Sequence, residues 1–179
     1  MAAVPKLTRD QVVHVSQLMA EYISAQREKC TPRAIALTAQ QRAPLNPFFS
    51  DGLLDNVRVL VLEGERIPNP DFYPMLRGLG FTNLPDQSGM AAITFCDVVV
   101  SHEQLTAALL FHELVHVEQF RQLGVAGFSD RYVHGFLTGG SYDAIPLEVN
   151  AYKLEDRFRR YPRRTFSVQT EVAHWLAEQ

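Results

Sequence analysis

His112, Glu113 and His116 form a His-Glu-x-x-His pattern within residues 105–122, a stretch without Pro or Gly in which Ala, Leu, Glu and Gln dominate. That composition predicts a helix. Positions four apart share a helix face, with Cβ atoms about 5–6 Å apart. His112 and His116 can therefore reach one ion, since zinc–nitrogen bonds are about 2.0–2.1 Å. Glu113 leaves the helix about 100° further round. It can stand beside a metal without ligating it, where a base for a water molecule is needed. A chance His-Glu-x-x-His is expected in on the order of one percent of chains this size. The helical context and the apolar flanks at Leu109, Leu110, Leu114 and Val117 favour metal binding over coincidence.

Two imidazoles leave such a site incomplete, because a catalytic zinc takes three protein ligands and keeps a fourth position for water. A third histidine in the compact spacing HExxHxxGxxH would need Gly and His at positions 119 and 122, and both are Gln. Two candidates remain downstream. Glu148 lies early in the next helical block, with the small Ala151 one turn on, and His134 lies between the two blocks.

These residues need elements to position them. Residues 8–29 carry an apolar stripe at helical spacing (Val12, Val15, Leu18, Met19, Tyr22, Ile23), with Thr8 or Asp10 as cap. His14, within that block, reads as a helix-surface or core-edge histidine. Thr31-Pro32 predicts a restarted short helix through Ala39 or Gln41. Residues 56–62 form a β-branched run of strand length, and residues 66–90 a Pro- and Gly-rich region with room for one short helix over 72–79. Residues 91–101 predict two short strands hinged near Cys96-Asp97, or one bent strand, with a free edge able to pair with an extended peptide. Ser101 is the expected cap of the motif helix, with His102 and Glu103 as a surface pair. Gly124 is its expected stop. A further helix is expected over 127–137, capped at Ser129 or Asp130 and closed by Gly139-Gly140. Pro146 opens a helix with Leu147, Ala151, Leu154 and Phe158 in period, and residues 168–176 with Trp175 close the chain. Five arginines in 156–164 read as a solvated helix end, with a phosphate patch as the lesser alternative.

The chain of 179 residues is the length of one domain. Hydrophobic residues make up 46% and charged residues 21%, which supplies a core. A net charge of −3 argues against general binding to nucleic acid or to an anionic membrane. Cys30 and Cys96, without CxxC spacing, suggest buried thiols in a reducing compartment. The N-terminal residues lack an apolar leader and no run approaches 18 apolar residues, so a cytoplasmic location is expected, although a signal-less export route would leave no trace.

HELVHVEQF followed by IPLEVNAY resembles the gluzincin branch of the zincin metallopeptidases, closest to small bacterial domains with HELxHxxQ and downstream ExxA helices. The resemblance covers about 91–158 of a single domain spanning 1–179. It implies an α+β, zincin-like fold, mostly helical with a small sheet next to the motif helix. It also implies Zn2+ held by His112, His116 and Glu148, with Glu113 as base and a peptide or protein as substrate. The His116-to-Glu148 gap is longer than in the best-known gluzincins, so Glu148 ranks over His134 but stands as the open ligand. Zinc in such sites acidifies water and polarises a carbonyl. The oxyanion needs a further donor, for which Tyr142, Tyr132 and His134 lie between the motif helices, His134 and Tyr142 being preferred. Asp143 and Asn150 are candidates to orient the histidines. A second reading keeps fold and metal without turnover, as a regulatory or interaction module.

Overall fold

The computed structural model describes residues 5–178. Helix α1 (Arg9–Cys30) is opened by Thr8, whose hydroxyl accepts from Gln11 N while the Gln11 side chain returns the bond. The structure then differs from the helix expected after Thr31-Pro32. A single 3-10 turn (Thr31–Arg33) gives way to strand β1 (Ile35–Ala36), and helix α2 (Ala39–Arg42) follows. Tertiary pairing overrides local propensity here, because Ile35 pairs with Val59 and Ala36 with Arg58. Helix α3 (Asp51–Asn56), capped by Ser50, precedes strand β2 (Arg58–Val61), so the expected strand begins two residues later. Helix α4 (Tyr73–Gly78) fills the expected place in the irregular region.

Strands β3 (Ala92–Phe95) and β4 (Val98–Ser101) form the hairpin expected at Cys96-Asp97. Cys96 takes a left-handed φ of 60°, which suits a two-residue turn between twisted strands. The sheet order is β1-β2-β4-β3, with β2 and β4 parallel, so β3 is an edge strand. Alternation along the strands divides the core. Leu60, Phe95, Val98 and Val100 pack with Val15, Met19 and Ile23 of α1. Val59 and Val99 face Leu110, Phe111, Leu114 and Val115 instead.

Those four residues belong to α5 (Ala107–Gly139), the motif helix. Its cap is Thr106, whose hydroxyl accepts from Leu109 N at 3.1 Å, and not Ser101. Ser101 is the buried last residue of β4, and its hydroxyl meets Glu103 O at 2.6 Å. His102 is a strut rather than a surface residue. It accepts from Ile67 N at 3.0 Å and donates from Nδ1 to Met90 O at 2.7 Å, tying the irregular region to the sheet. Gly124, with φ 67° and ψ 170°, interrupts α5 as expected. The helix resumes at once, so the expected caps fall inside it, and Ser129 is fully buried there. Gly140, at φ 71°, ends it.

Helix α6 (Pro146–Arg160) runs against α5, and α7 (Val168–Ala177) closes the second core face. Two features fix α6 relative to the motif. Phe111, adjacent to His112, stacks on Phe158 with centroids 4.4 Å apart, and Phe48 meets both edge-on. Such pairs are worth about 0.5–1.5 kcal/mol each beyond their burial. At the other end Gly135 lets the chain entering α6 press close, since a Cβ there would lie 2.5 Å from Pro146 Cδ and 3.4 Å from Ile145 Cα. No helix among the described residues is long and apolar enough to cross a membrane.

The predicted α+β class, mostly helical with a small sheet, is the architecture observed. Cys30 is buried and Cys96 half-buried, and both are free thiols.

Candidate metal centre

His112 and His116 stand one turn apart on α5 and present their Nε2 atoms to each other at 3.1 Å. From α6, Glu148 brings Oε2 to 3.4 Å from His112 Nε2 and 3.3 Å from His116 Nε2. A tetrahedral ion with bonds of about 2.0–2.2 Å holds its ligand atoms about 3.3–3.6 Å apart, so the triangle has nearly that size. All three residues are at most 5% exposed. They form a buried group able to hold a metal ion.

The surroundings fit such a role. His112 Nδ1 lies 3.2 Å from Glu155 Oε2, and His116 Nδ1 lies 2.8 Å from Gln119 Oε1. Both partners are acceptors, so each Nδ1 carries a proton, and each Nε2, when it carries none, directs its lone pair inward. Glu148 Oε2 is buried and makes no directed hydrogen bond. Three electron pairs thus converge on one point, an arrangement that a cation stabilises and neutral groups do not.

In the metal-free chain, protons take that place. Burial alone would push both imidazoles down, but Glu148 and Glu155 carry His112 up to about 10, and Glu148 raises His116 as well. Burial likewise opposes ionisation of Glu148, but the two histidines hold its carboxyl well below the usual range.

Glu113 is not part of the triangle. Its Oε2 accepts from Thr94 Oγ1 of β3 at 2.7 Å. Burial raises the Glu113 carboxyl above its ordinary value, and His116 and His112 pull against that rise.

Two spaces meet at this residue. An inner cavity of about 50 Å³ lies among α1, β3 and α5, bordered by Ile23, Phe95, Glu113, Phe128, Tyr132 and Glu148. An outer groove of about 500 Å³ runs past His112, Glu113, Tyr152, Glu155 and Arg159. Tyr142 borders both, as do Met90 and Ala92 on the edge-strand side. Burial first, then the Glu148 carboxylate, keeps the Tyr142 phenol far above its ordinary pKa, so its hydroxyl remains a donor. Burial first, then Tyr73 and Glu148, hold Tyr132 up as well, and it borders the inner cavity but not the outer groove.

His134 is not brought to this group. It is exposed on the second half of α5, with Nε2 3.4 Å from Asp130 Oδ1, and it borders neither space. Glu148 rather than His134 completes the triangle. Of the expected histidine-orienting residues, Asp143 is exposed, and Asn150 touches the network only through Gln119. Glu155 and Gln119 occupy those roles. Their signal was present in the sequence: Glu155 lies seven residues past Glu148 and Gln119 three past His116, both same-face helical spacings. Tyr152, whose ring lies 4.5 Å from that of His112, is a third addition. Thr94 carried no such signal, since its place depends on strand pairing. The arginines at the end of α6 are largely engaged, Arg157 with Glu171, Arg159 with Glu155 and Arg160 with Asp156.

Comparison with protein-family models, curated proteins and solved structures finds no match to this chain. Its chemistry is therefore read from the geometry above.

Proposed function

We propose that this protein is a zinc-dependent peptidase of the zincin type, similar to gluzincins, with His112, His116 and Glu148 as ligands and Glu113 as general base. The observation that carries this reading is the convergence of two Nε2 lone pairs and an unpartnered carboxylate oxygen, with a second buried carboxylate beside them. Zinc in such a setting supplies Lewis acidity toward a carbonyl and lowers the pKa of water to about 7.

The chain's own residues supply the rest. Thr94 donates to Glu113 Oε2 and holds that carboxylate in place. Glu113 takes the proton of the attacking water and returns it to the leaving amine, so no net proton remains on the enzyme. Tyr142, neutral and facing both spaces, donates to the carbonyl oxygen as it becomes anionic. The free edge of β3 offers backbone hydrogen bonds to an extended peptide, and the outer groove beside it gives room for the chain.

One observation favours the second reading, a zinc-binding module without turnover: the four central residues are each no more than 5% exposed. Both readings are tested by assaying a mixed peptide pool with protein that has been stripped by a chelator and then reloaded. Hydrolysis that disappears on stripping and returns with one equivalent of zinc is the expected result. A fully loaded protein that cleaves no peptide contradicts the peptidase reading and leaves the silent module.

A further inference from the structure

We infer that Gln119 is a positioning residue that sets both the tautomer of His116 and the distance from His116 to Glu148. The inference rests on the metal-site reading and goes beyond it, because Gln119 touches none of the reacting positions.

Gln119 is fully buried, and its amide is engaged on every side. Nε2 donates to Leu147 O and to Asn150 Oδ1, each at 3.0 Å. Both partners are acceptors, so the amide has only one possible orientation. Oε1 must then face His116 Nδ1, at 2.8 Å, and can only accept. The proton of His116 is thereby fixed on Nδ1, and its Nε2 lone pair is turned toward the site.

The same amide reaches across to α6. Leu147 directly precedes Glu148, and Asn150 follows it by two positions, so both bonds hold the turn that carries the third ligand. Other ties between α5 and α6 lie at the Phe111–Phe158 stack, at Gly135 against Pro146, and at His112 against Tyr152 and Glu155. Gln119 is the group that connects a ligand on one helix with the neighbours of a ligand on the other. His112 has no equivalent arrangement, since its partner Glu155 lies on α6 two turns beyond Glu148.

Two substitutions separate the functions of the amide. Gln119→Leu keeps the volume and removes all three bonds. Gln119→Glu keeps an acceptor for His116 but puts a second acceptor against Leu147 O and Asn150 Oδ1, so the tie to α6 is lost. Zinc affinity is read by competition with a chromophoric chelator, alongside nitrogen-15 spectra of the histidines in zinc-loaded protein. The parent is expected to show a protected Nδ1–H on His116. Gln119→Leu should weaken zinc binding about 10–100-fold and lose that signal. Gln119→Glu should retain the signal and still bind zinc less tightly than the parent. Zinc affinities within twofold of the parent in both variants would overturn the role of Gln119 while leaving the metal site standing. If Gln119→Leu does not fold, Gln119→Glu carries the test alone, and parental affinity in it overturns the tie to α6. A parent that takes up no zinc would instead overturn the metal site itself.

Discussion

Replacing Glu113 by Gln is expected to lower peptide hydrolysis by about 10²–10⁴-fold, the usual contribution of a positioned general base. Zinc content should stay at the parental level. The separation of these effects follows from geometry. Glu113 lies on the same helix as both histidines, but its Oε2 accepts from Thr94 on the edge strand and is not part of the ligand triangle. A glutamine there has nearly the same volume and can still accept from Thr94 Oγ1, so packing against β3 survives. What it lacks is the capacity to take a proton. Steady-state kinetics on a cleaved peptide, with metal analysis of the same sample, checks both halves. A variant that turns over within twofold of the parent would remove Glu113 from the chemistry.

The second large effect concerns pH. In the metal-free chain Glu148 and Glu155 push His112 up to about 10, and Glu148 raises His116 as well, so near neutrality His112 holds a proton at its ligand position. Metal binding requires both Nε2 atoms bare, so it must expel that proton and any held by His116. The sign is fixed: lower pH favours the protonated, metal-free cluster, and rising pH favours the ion. One displaced proton makes the affinity rise about tenfold per pH unit, and two make it rise about a hundredfold. From pH 6 to pH 8 the zinc association constant should thus climb at least about a hundredfold. Calorimetry in buffers of different ionisation enthalpy would report the protons directly. An affinity independent of pH over that range would mean that the histidines are already neutral, and that Glu148 does not hold protons on them.

Much of this centre could be read from the chain because helices keep sequence spacing and spatial spacing in step. A helix over residues 105–122 fixes His112, Glu113 and His116 relative to each other. Glu148 was a choice between two candidates. The structure places Glu148 beside the two histidines, with Gly135 against Pro146 at one end of α6 and the Phe111–Phe158 stack at the other. His134 had the right residue type, but the helix resumes immediately after Gly124 and turns that side chain outward to Asp130. Its orientation depended on the φ and ψ of a single glycine, which no periodicity encodes. Strand β1 was missed for a related reason. Ile35-Ala36 is too short to show a period, and it exists because β2 offers an edge. The cap at Thr106 in place of Ser101 follows from β4 extending through Ser101, a consequence of its pairing with Ala92.

The measurement that bears most directly on the metal centre is zinc per chain after dialysis at pH 8, for the parent and for Glu148→Ala. About one zinc in the parent, with most of it lost from the variant, is the predicted result. A parent that retains no zinc after loading would contradict the assignment of His112, His116 and Glu148 as a zinc site. Full retention in Glu148→Ala would contradict the place of Glu148 in it.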